Sequence, residues 1–252
     1  MTPSSYKPQE PRYSDVEQCH TVPNHLGSRN YPPQRPTPRE MLHYTKTTHA
    51  ALGFAPSSAD PSLFLCTDTT LSLFYVLVYV DDLDFATADT EALALVKAEL
   101  QERHTCTDLG ELRGHLGLQI TRDRARRTIT PTLSHMVHPV LQRFGFYTSD
   151  MGLVLGGQGS VVLTGHSDAS WADNQAPQRL SQGYTFSLGS GYVSWRSTLS
   201  SSVLGSRCEA EIYAGAMAAQ ELRWLSYLLT DLGERPRSPP ILYVDNKAML
   251  AL

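Results

Sequence analysis

From Leu71 to Val80 the chain is almost unbroken in apolar character (Leu-Ser-Leu-Phe-Tyr-Val-Leu-Val-Tyr-Val). Its β-branched and aromatic content suits a strand buried on both faces. Asp81-Asp82 interrupts the run and Leu83-Asp84-Phe85-Ala86-Thr87 resumes it, so the pattern predicts a hairpin with two carboxylates at its tip. Asp89-Thr90-Glu91 then supplies caps for a helix carrying Leu93, Val96 and Leu100 at helical spacing, whose role is to cover the hairpin. Upstream, Thr37-Pro38-Arg39-Glu40 reads as a capped helix start, with the helix running to about Leu52 and closed by Gly53. Downstream come a glycine turn at Asp108-Leu109-Gly110, strands near His115 to Thr121 and Thr128 to Leu133, and a helix to Phe144. Past Gly156-Gly157-Gln158-Gly159 the order becomes strand (Val161 to Gly165), hairpin (Tyr184 to Leu188 and Tyr192 to Arg196), long helix (about Cys208 to Leu232) and strand (Ile241 to Val244). That order predicts a second domain with a mixed sheet. The long helix shows a stripe of Ile212, Ala216, Ala219, Leu222, Leu225 and Leu229 and ends at Gly233.

Composition changes this picture at the amino-terminal end. With 252 residues, 41% hydrophobic and 18% charged, the chain can build one large or two small cores. Residues 1–38, however, are rich in Pro, Ser, Arg and Tyr without apolar periodicity, and read as a disordered tail. No apolar window reaches the length of a membrane span, and the start lacks the apolar segment of a signal peptide, so an intracellular protein (cytoplasm or nucleus) without membrane partners is expected. Cys19, Cys66, Cys106 and Cys208 lie far apart with no Cys-x-x-Cys spacing, which suggests reduced, inert thiols rather than a zinc knuckle or a disulfide framework. A formal charge of −4 counts against strong nucleic-acid binding, because phosphate neutralisation needs surplus Lys and Arg. The densest basic run, Arg122, Arg124, Arg126 and Arg127, reads as a solvated hairpin turn.

Tyr79-Val80-Asp81-Asp82 would hold adjacent carboxylates outward for a hard divalent cation. Alone it is a weak signal, since an exposed acidic turn has the same composition. Its neighbours sharpen it. Leu52-Gly53-Phe54, Ala59-Asp60-Pro61-Ser62-Leu63-Phe64, Asp108-Leu109-Gly110-Glu111-Leu112, Leu116-Gly117-Leu118 and Arg143-Phe144-Gly145 flank it in a fixed order. Together they resemble the reverse transcriptase of copia-type LTR retrotransposons. In the second half, Gly165-His166-Ser167-Asp168-Ala169-Ser170-Trp171-Ala172, Gly183-Tyr184, Val193-Ser194-Trp195, Glu209-Ala210-Glu211 and Val244-Asp245-Asn246-Lys247-Ala248 look like the ribonuclease H of that element's Pol polyprotein.

The resemblance implies an α+β architecture: a partial reverse-transcriptase palm at 39–150, then a ribonuclease H-like mixed-sheet domain at 151–252. It further implies that Asp81 and Asp82 bind catalytic Mg2+ with Tyr79 beside the primer end. Asp168, Glu211 and Asp245 would hold two Mg2+ (or Mn2+) ions for phosphodiester hydrolysis, with an RNA–DNA hybrid as the implied partner. Glu209 rivals Glu211 for the helix position; Ile-Tyr-Ala-Gly-Ala after Glu211 fits the family better. No oligomeric state is implied.

The chain also departs from the family. No upstream aspartate qualifies as a further polymerase metal ligand, since Asp15 lies in the presumed tail and Asp60 in the Ala-Asp-Pro-Ser loop. A connecting segment is missing near Tyr147 to Asp150, and Leu252 falls before the family's last ribonuclease H aspartate. The expectation is no DNA synthesis and weak or no nuclease activity. The alternative is a non-catalytic transposon remnant or an interaction module. An unrelated α/β protein with an acidic metal site would require Asp168, Glu211 and Asp245 to stand apart in space. A serine or cysteine hydrolase lacks its motif around Ser206 and Cys208, and His135 and His138, without a third ligand, read as helix-surface residues.

Overall fold

The structure, a computed structural model, describes residues 15–22, 53–66, 73–80, 82–103, 105–145, 152–156, 162–170, 181–200, 206–234 and 238–245. Contacts group the chain into two compact units, Met1–Leu112 and Arg113–Leu252. The helix expected from Pro38 to Leu52 and the junction drawn at 150/151 both lie outside the described residues.

The first unit is built on a six-stranded sheet. In chain order its strands are β1 (Asp15–Val22), β2 (Phe54–Pro56), β3 (Leu63–Cys66), β4 (Phe74–Tyr79), β5 (Asp82–Thr87) and β6 (Thr105–Glu111). In space the order is β2-β3-β4-β5-β1-β6. Helix α1 (Thr90–Arg103) links β5 to β6, and its start is capped by Asp89, whose Oδ1 accepts the Ala92 N–H at 2.9 Å. Leu93 and Leu100 are buried as the helical spacing predicted, in a core with Phe54, Phe64, Phe74, Val76, Val78, Leu83 and Phe85.

The predicted hairpin is present, with Tyr79 directly opposite Asp82. Asp82 is thus the first residue of β5 rather than a turn residue; Asp81 lies outside the described residues. Val80 has φ 54°, a left-handed conformation that a β-branched side chain adopts only under constraint from its surroundings. Replacing Val80 with Gly is expected to raise stability by about 1 kcal/mol, since strain at such a residue is worth that order. An unchanged or lowered urea midpoint would mean that the turn is relaxed with valine.

Two readings of this unit are corrected. Residues 15–22, taken as part of a disordered tail, form β1, antiparallel to both β5 and β6. Its apolar residues have no strand period. The two neighbours supply backbone partners on both sides, and tertiary pairing overrides local propensity. The turn expected at 108–110 is instead a bulge within β6. Gln18 pairs with Gly110 and Cys19 with Asp108, so Leu109 is the extra residue. Gly110 takes φ 71° there, and its N–H donates to Asp108 Oδ1 at 2.9 Å.

The second unit contains two four-stranded sheets. One comprises β7 (Gly114–His115), β8 (Leu118–Asp123), β9 (Thr128–Thr132) and β10 (Leu155–Gly156), with α2 (Ser134–Arg143) following β9. The single strand expected from His115 to Thr121 is broken after His115, because Leu116 and Gly117 turn with φ 50° and 83° and pair His115 with Leu118. The arginine run is a hairpin turn as expected, with the Arg126 N–H donating to Asp123 Oδ1 at 2.9 Å. On α2, His135 is exposed and His138 half-buried.

The other sheet comprises β11 (Leu163–Ser170), β12 (Ser181–Leu188), β13 (Gly191–Leu199) and β14 (Ile241–Val244), in the order β13-β12-β11-β14. β11 to β13 pair antiparallel and β14 lies parallel to β11, the mixed sheet that the element order predicted. Helix α3 (Arg207–Asp231) covers one face, burying Leu163, Tyr184 and Phe186 against Ala218, Leu225 and Leu229. Toward its start the buried stripe is Ala210, Glu211, Ala214, Gly215 and Ala218 rather than Ile212, Ala216 and Ala219. Small residues let the helix axis approach the sheet, and closeness decides which face turns inward. Among the described residues no helix is long and apolar enough to cross a membrane.

Candidate metal centre

Parallel pairing of β11 with β14 ends at Ser167 opposite Val244. The next residues are Asp168, still within β11, and Asp245, just past the end of β14, so two carboxylates stand side by side. The third comes from α3. Ser206 caps the helix by accepting the Glu209 N–H at 3.1 Å, and Ala210 and Ala214 pack directly on Ala169. With alanine on both sides of that contact, the first turns of the helix lie close to the strand end, and Glu211 is carried to the aspartates. One carboxylate oxygen from each of Asp168, Glu211 and Asp245 lies within 4.8 Å of the others.

The three differ in environment. Asp168 and Asp245 are exposed, whereas Glu211 is 2% exposed. Burial pushes the Glu211 carboxyl above the ordinary glutamate range, with Asp245 and Asp168 adding repulsion and the Ala169 N–H and Arg207 partly opposing. Its Oε1 is buried without a hydrogen-bond partner. An acceptor left bare beside two further carboxylates is what a bound cation would satisfy. Hard oxygen donors alone make a set suited to Mg2+ or Mn2+.

The structure thus brings together Asp168, Glu211 and Asp245, and places the rival Glu209 half-buried in the first helical turn. Tyr79 is 49% exposed at the hairpin end of the first unit, beside Asp82. Neither upstream aspartate joins it. Asp15 pairs with Thr87, at the far end of β5 from Asp82, and Asp60 is engaged in the β2–β3 turn, where its Oδ1 accepts the Ser62 N–H at 2.8 Å.

A second charged cluster was not read from the sequence. Lys97 on α1 is only 6% exposed and bonds to Glu17 of β1 and, at 2.6 Å, to Asp108 of β6. Beside it the Cys19 thiol donates to Asp108 Oδ1 at 3.9 Å, with Cys106, distant in sequence, close by. Burial raises both thiols, which favours their protonated form. The local helical period carries no sign that Lys97 turns inward, because its partners come from other strands.

No protein-family model matches the chain. Among curated proteins it is 25% identical over 284 residues to the retrovirus-related Pol polyprotein from transposon RE2 of Arabidopsis thaliana, covering 83% of this chain and 19% of that protein. The corresponding polyprotein from transposon RE1 of the same plant is 26% identical over 282 residues, covering 82% and 19%. A secreted RxLR effector protein (161) of Plasmopara viticola is 40% identical over 79 residues, covering 31% of this chain and 56% of that protein. The similarity to copia-type retrotransposon Pol polyproteins seen in the motif series is therefore borne out across most of the chain. The chain spans about a fifth of the length of these polyproteins. An aligned length of 284 exceeds the 252 residues of the chain itself, so within the matched region the relative carries sequence that this chain lacks.

Proposed function

We propose that the chain is a retrotransposon-derived fragment whose second unit is a ribonuclease H-like hydrolase of the RNA strand in RNA–DNA hybrids, and whose first unit is the palm-hairpin part of a reverse transcriptase that no longer polymerises. The observation that carries the nuclease reading is the convergence of Asp168, Glu211 and Asp245 from two adjacent strands and a helix, with an unsatisfied glutamate oxygen among them. These residues would hold Mg2+ or Mn2+, which when bound supplies an activated water and stabilises the charge developing on a phosphodiester. The protein's own part is to hold the acceptors at a fixed spacing: β11 and β14 set the two aspartates, and the alanine contact sets Glu211. The similarity to Pol polyproteins of transposons supports the same ancestry.

Loss of polymerisation rests on the hairpin. Asp82 stands at its end with Tyr79, but the register keeps Asp15 at the other end of the strand, and Asp60 serves a turn. The test is cleavage of a labelled RNA strand in an RNA–DNA hybrid with Mg2+ or Mn2+, against Asp168→Asn. Cleavage abolished by the substitution is expected. No cleavage by a protein that circular dichroism shows to be folded would favour the non-catalytic remnant, the reading to which the −4 charge lends weight.

A further inference from the structure

Helix α3 lies against β11 with the opposite sense. Its carboxy-terminal half, at Leu225 and Leu229, packs with Leu163 at the start of that strand, whereas Ala210 and Ala214 meet Ala169 near its end. The first turn therefore stands at the end of the sheet that carries Asp168 and Asp245. Arg207 opens the helix, four residues before Glu211 and seven before Ala214, so it falls on the sheet-facing stripe. The rest of that stripe, Ala210, Glu211, Ala214, Gly215 and Ala218, is buried. Arg207 is exposed, the point at which the stripe projects past its cover.

Helical residues four apart bring their side chains together, and side chains lean toward the amino-terminal end of a helix. The Glu211 carboxyl is thus carried toward the turn that bears Arg207, and it feels the arginine's charge. Yet Arg207 makes no ion pair or side-chain hydrogen bond among the described residues. A guanidinium beside three carboxylates that pairs with none of them leaves their oxygens for a metal and its own donors for another anion. The chain as a whole is acidic, with a formal charge of −4, so holding a polyanion depends on cations at particular places. A planar fork of N–H groups matches the oxygens of a phosphate.

We propose that Arg207 is a substrate-anchoring residue: its guanidinium takes a backbone phosphate of a nucleic-acid strand and so holds a phosphodiester of that strand at the carboxylate centre. The proposal rests on reading that centre as a phosphodiester-cleaving site. The rival role for Arg207 is that of a counter-ion, which would neutralise the carboxylates and compete with metal.

The experiment is fluorescence anisotropy of a labelled RNA–DNA hybrid with the full chain, in EDTA and again with Ca2+, over a series of salt concentrations and beside the cleavage assay. Arg207→Gln should weaken binding about tenfold, the low end for hydrogen bonds to a charged group. It should also lower the slope of log affinity against log salt by about one, the signature of one lost phosphate contact. Arg207→Lys keeps the charge and should restore the slope with part of the affinity. Arg223→Gln is the control: Arg223 is on the same helix about 24 Å away and engaged with Tyr227, and its loss should leave both readouts in place. Affinity and slope unmoved by Arg207→Gln overturn the anchor even if hybrids are cleaved, as does an equal loss from Arg223→Gln or a wild-type protein that binds no hybrid. Mg2+ binding that tightens in Arg207→Gln while hybrid affinity stays the same also overturns it, in favour of the counter-ion. The expected losses in a protein that cleaves nothing leave the anchor standing and overturn the nuclease reading.

Discussion

Glu211→Gln is expected to make the metal-free protein more stable while abolishing the hybrid cleavage proposed for it. Glu211 is buried, its Oε1 lacks a partner, and Asp168 and Asp245 face it. An amide of the same shape removes the buried charge, and its N–H groups can donate to the aspartates. A gain of about 1–2 kcal/mol follows from the ordinary penalty of an unsatisfied buried group. The sign with pH is fixed by the raised folded-state pKa, caused first by burial and then by Asp245 and Asp168. Between the ordinary glutamate value and the raised one, the folded state binds the proton and the unfolded state does not, so wild-type stability falls as pH rises through that window. Glu211→Gln should lack this slope. Hybrid cleavage should drop by at least about a hundredfold, since even groups that only support metal ligands carry effects near that size. Urea midpoints in EDTA at a series of pH values check the first claim; a variant less stable than wild type at neutral pH would refute it.

Lys97→Ala should destabilise the first unit by about 2 kcal/mol. The ammonium is the shared partner of Glu17 and Asp108, and its removal leaves two carboxylates on β1 and β6 without a cation. Breaking a fully buried pair costs about 3–5 kcal/mol; Glu17 and Asp108 are 32% and 42% exposed, so solvent offsets part of that. Burial works against the Lys97 charge, but hydrogen bonds to Asp108 and Glu17 outweigh it and raise its pKa. Asp108 likewise meets a burial penalty, yet Lys97 and the Gly110 N–H hold it below the ordinary aspartate range. Its contribution is therefore present above the ordinary value and lost as pH falls through the depressed one. The gap between wild type and variant should narrow in acid. Lys97→Met, which keeps the aliphatic stem, should recover part of the loss; a difference under about 0.5 kcal/mol for alanine, the range of an ordinary surface change, would show that the cluster is inessential.

The elements that local periodicity could carry were legible. The Leu71–Val80 run led to β4, Asp89 and Leu93 to α1, and Gly233 to the end of α3, because each signal lies within a few residues of the structure it produces. The motif order also singled out Asp168, Glu211 and Asp245, which the fold places together. What was missed depends on partners distant in sequence. β1 looks like tail because Asp-Val-Glu-Gln-Cys-His-Thr-Val has no alternation of its own; Lys97 looks like surface because Glu17 and Asp108 are invisible from its helix. Small residues misled differently. Alanine occurs on both faces of α3, so the stripe inferred from apolar spacing drifted from the one that packs, and only the contact with Ala169 decides between them.

The position of β1 bears on how the first unit assembles. It is antiparallel to both neighbours, so β5 and β6 run in the same direction with α1 crossing between them, and a gap one strand wide waits for residues 15–22. Cys19 meets Asp108 across 89 residues of chain, so that gap cannot close until both its walls exist. Until then β5 and β6 each offer an open edge. Insertion of β1 should be a late, slow event of high contact order, and during that interval the same slot could accept the equivalent strand of another molecule, yielding exchanged dimers when refolding is carried out at high concentration.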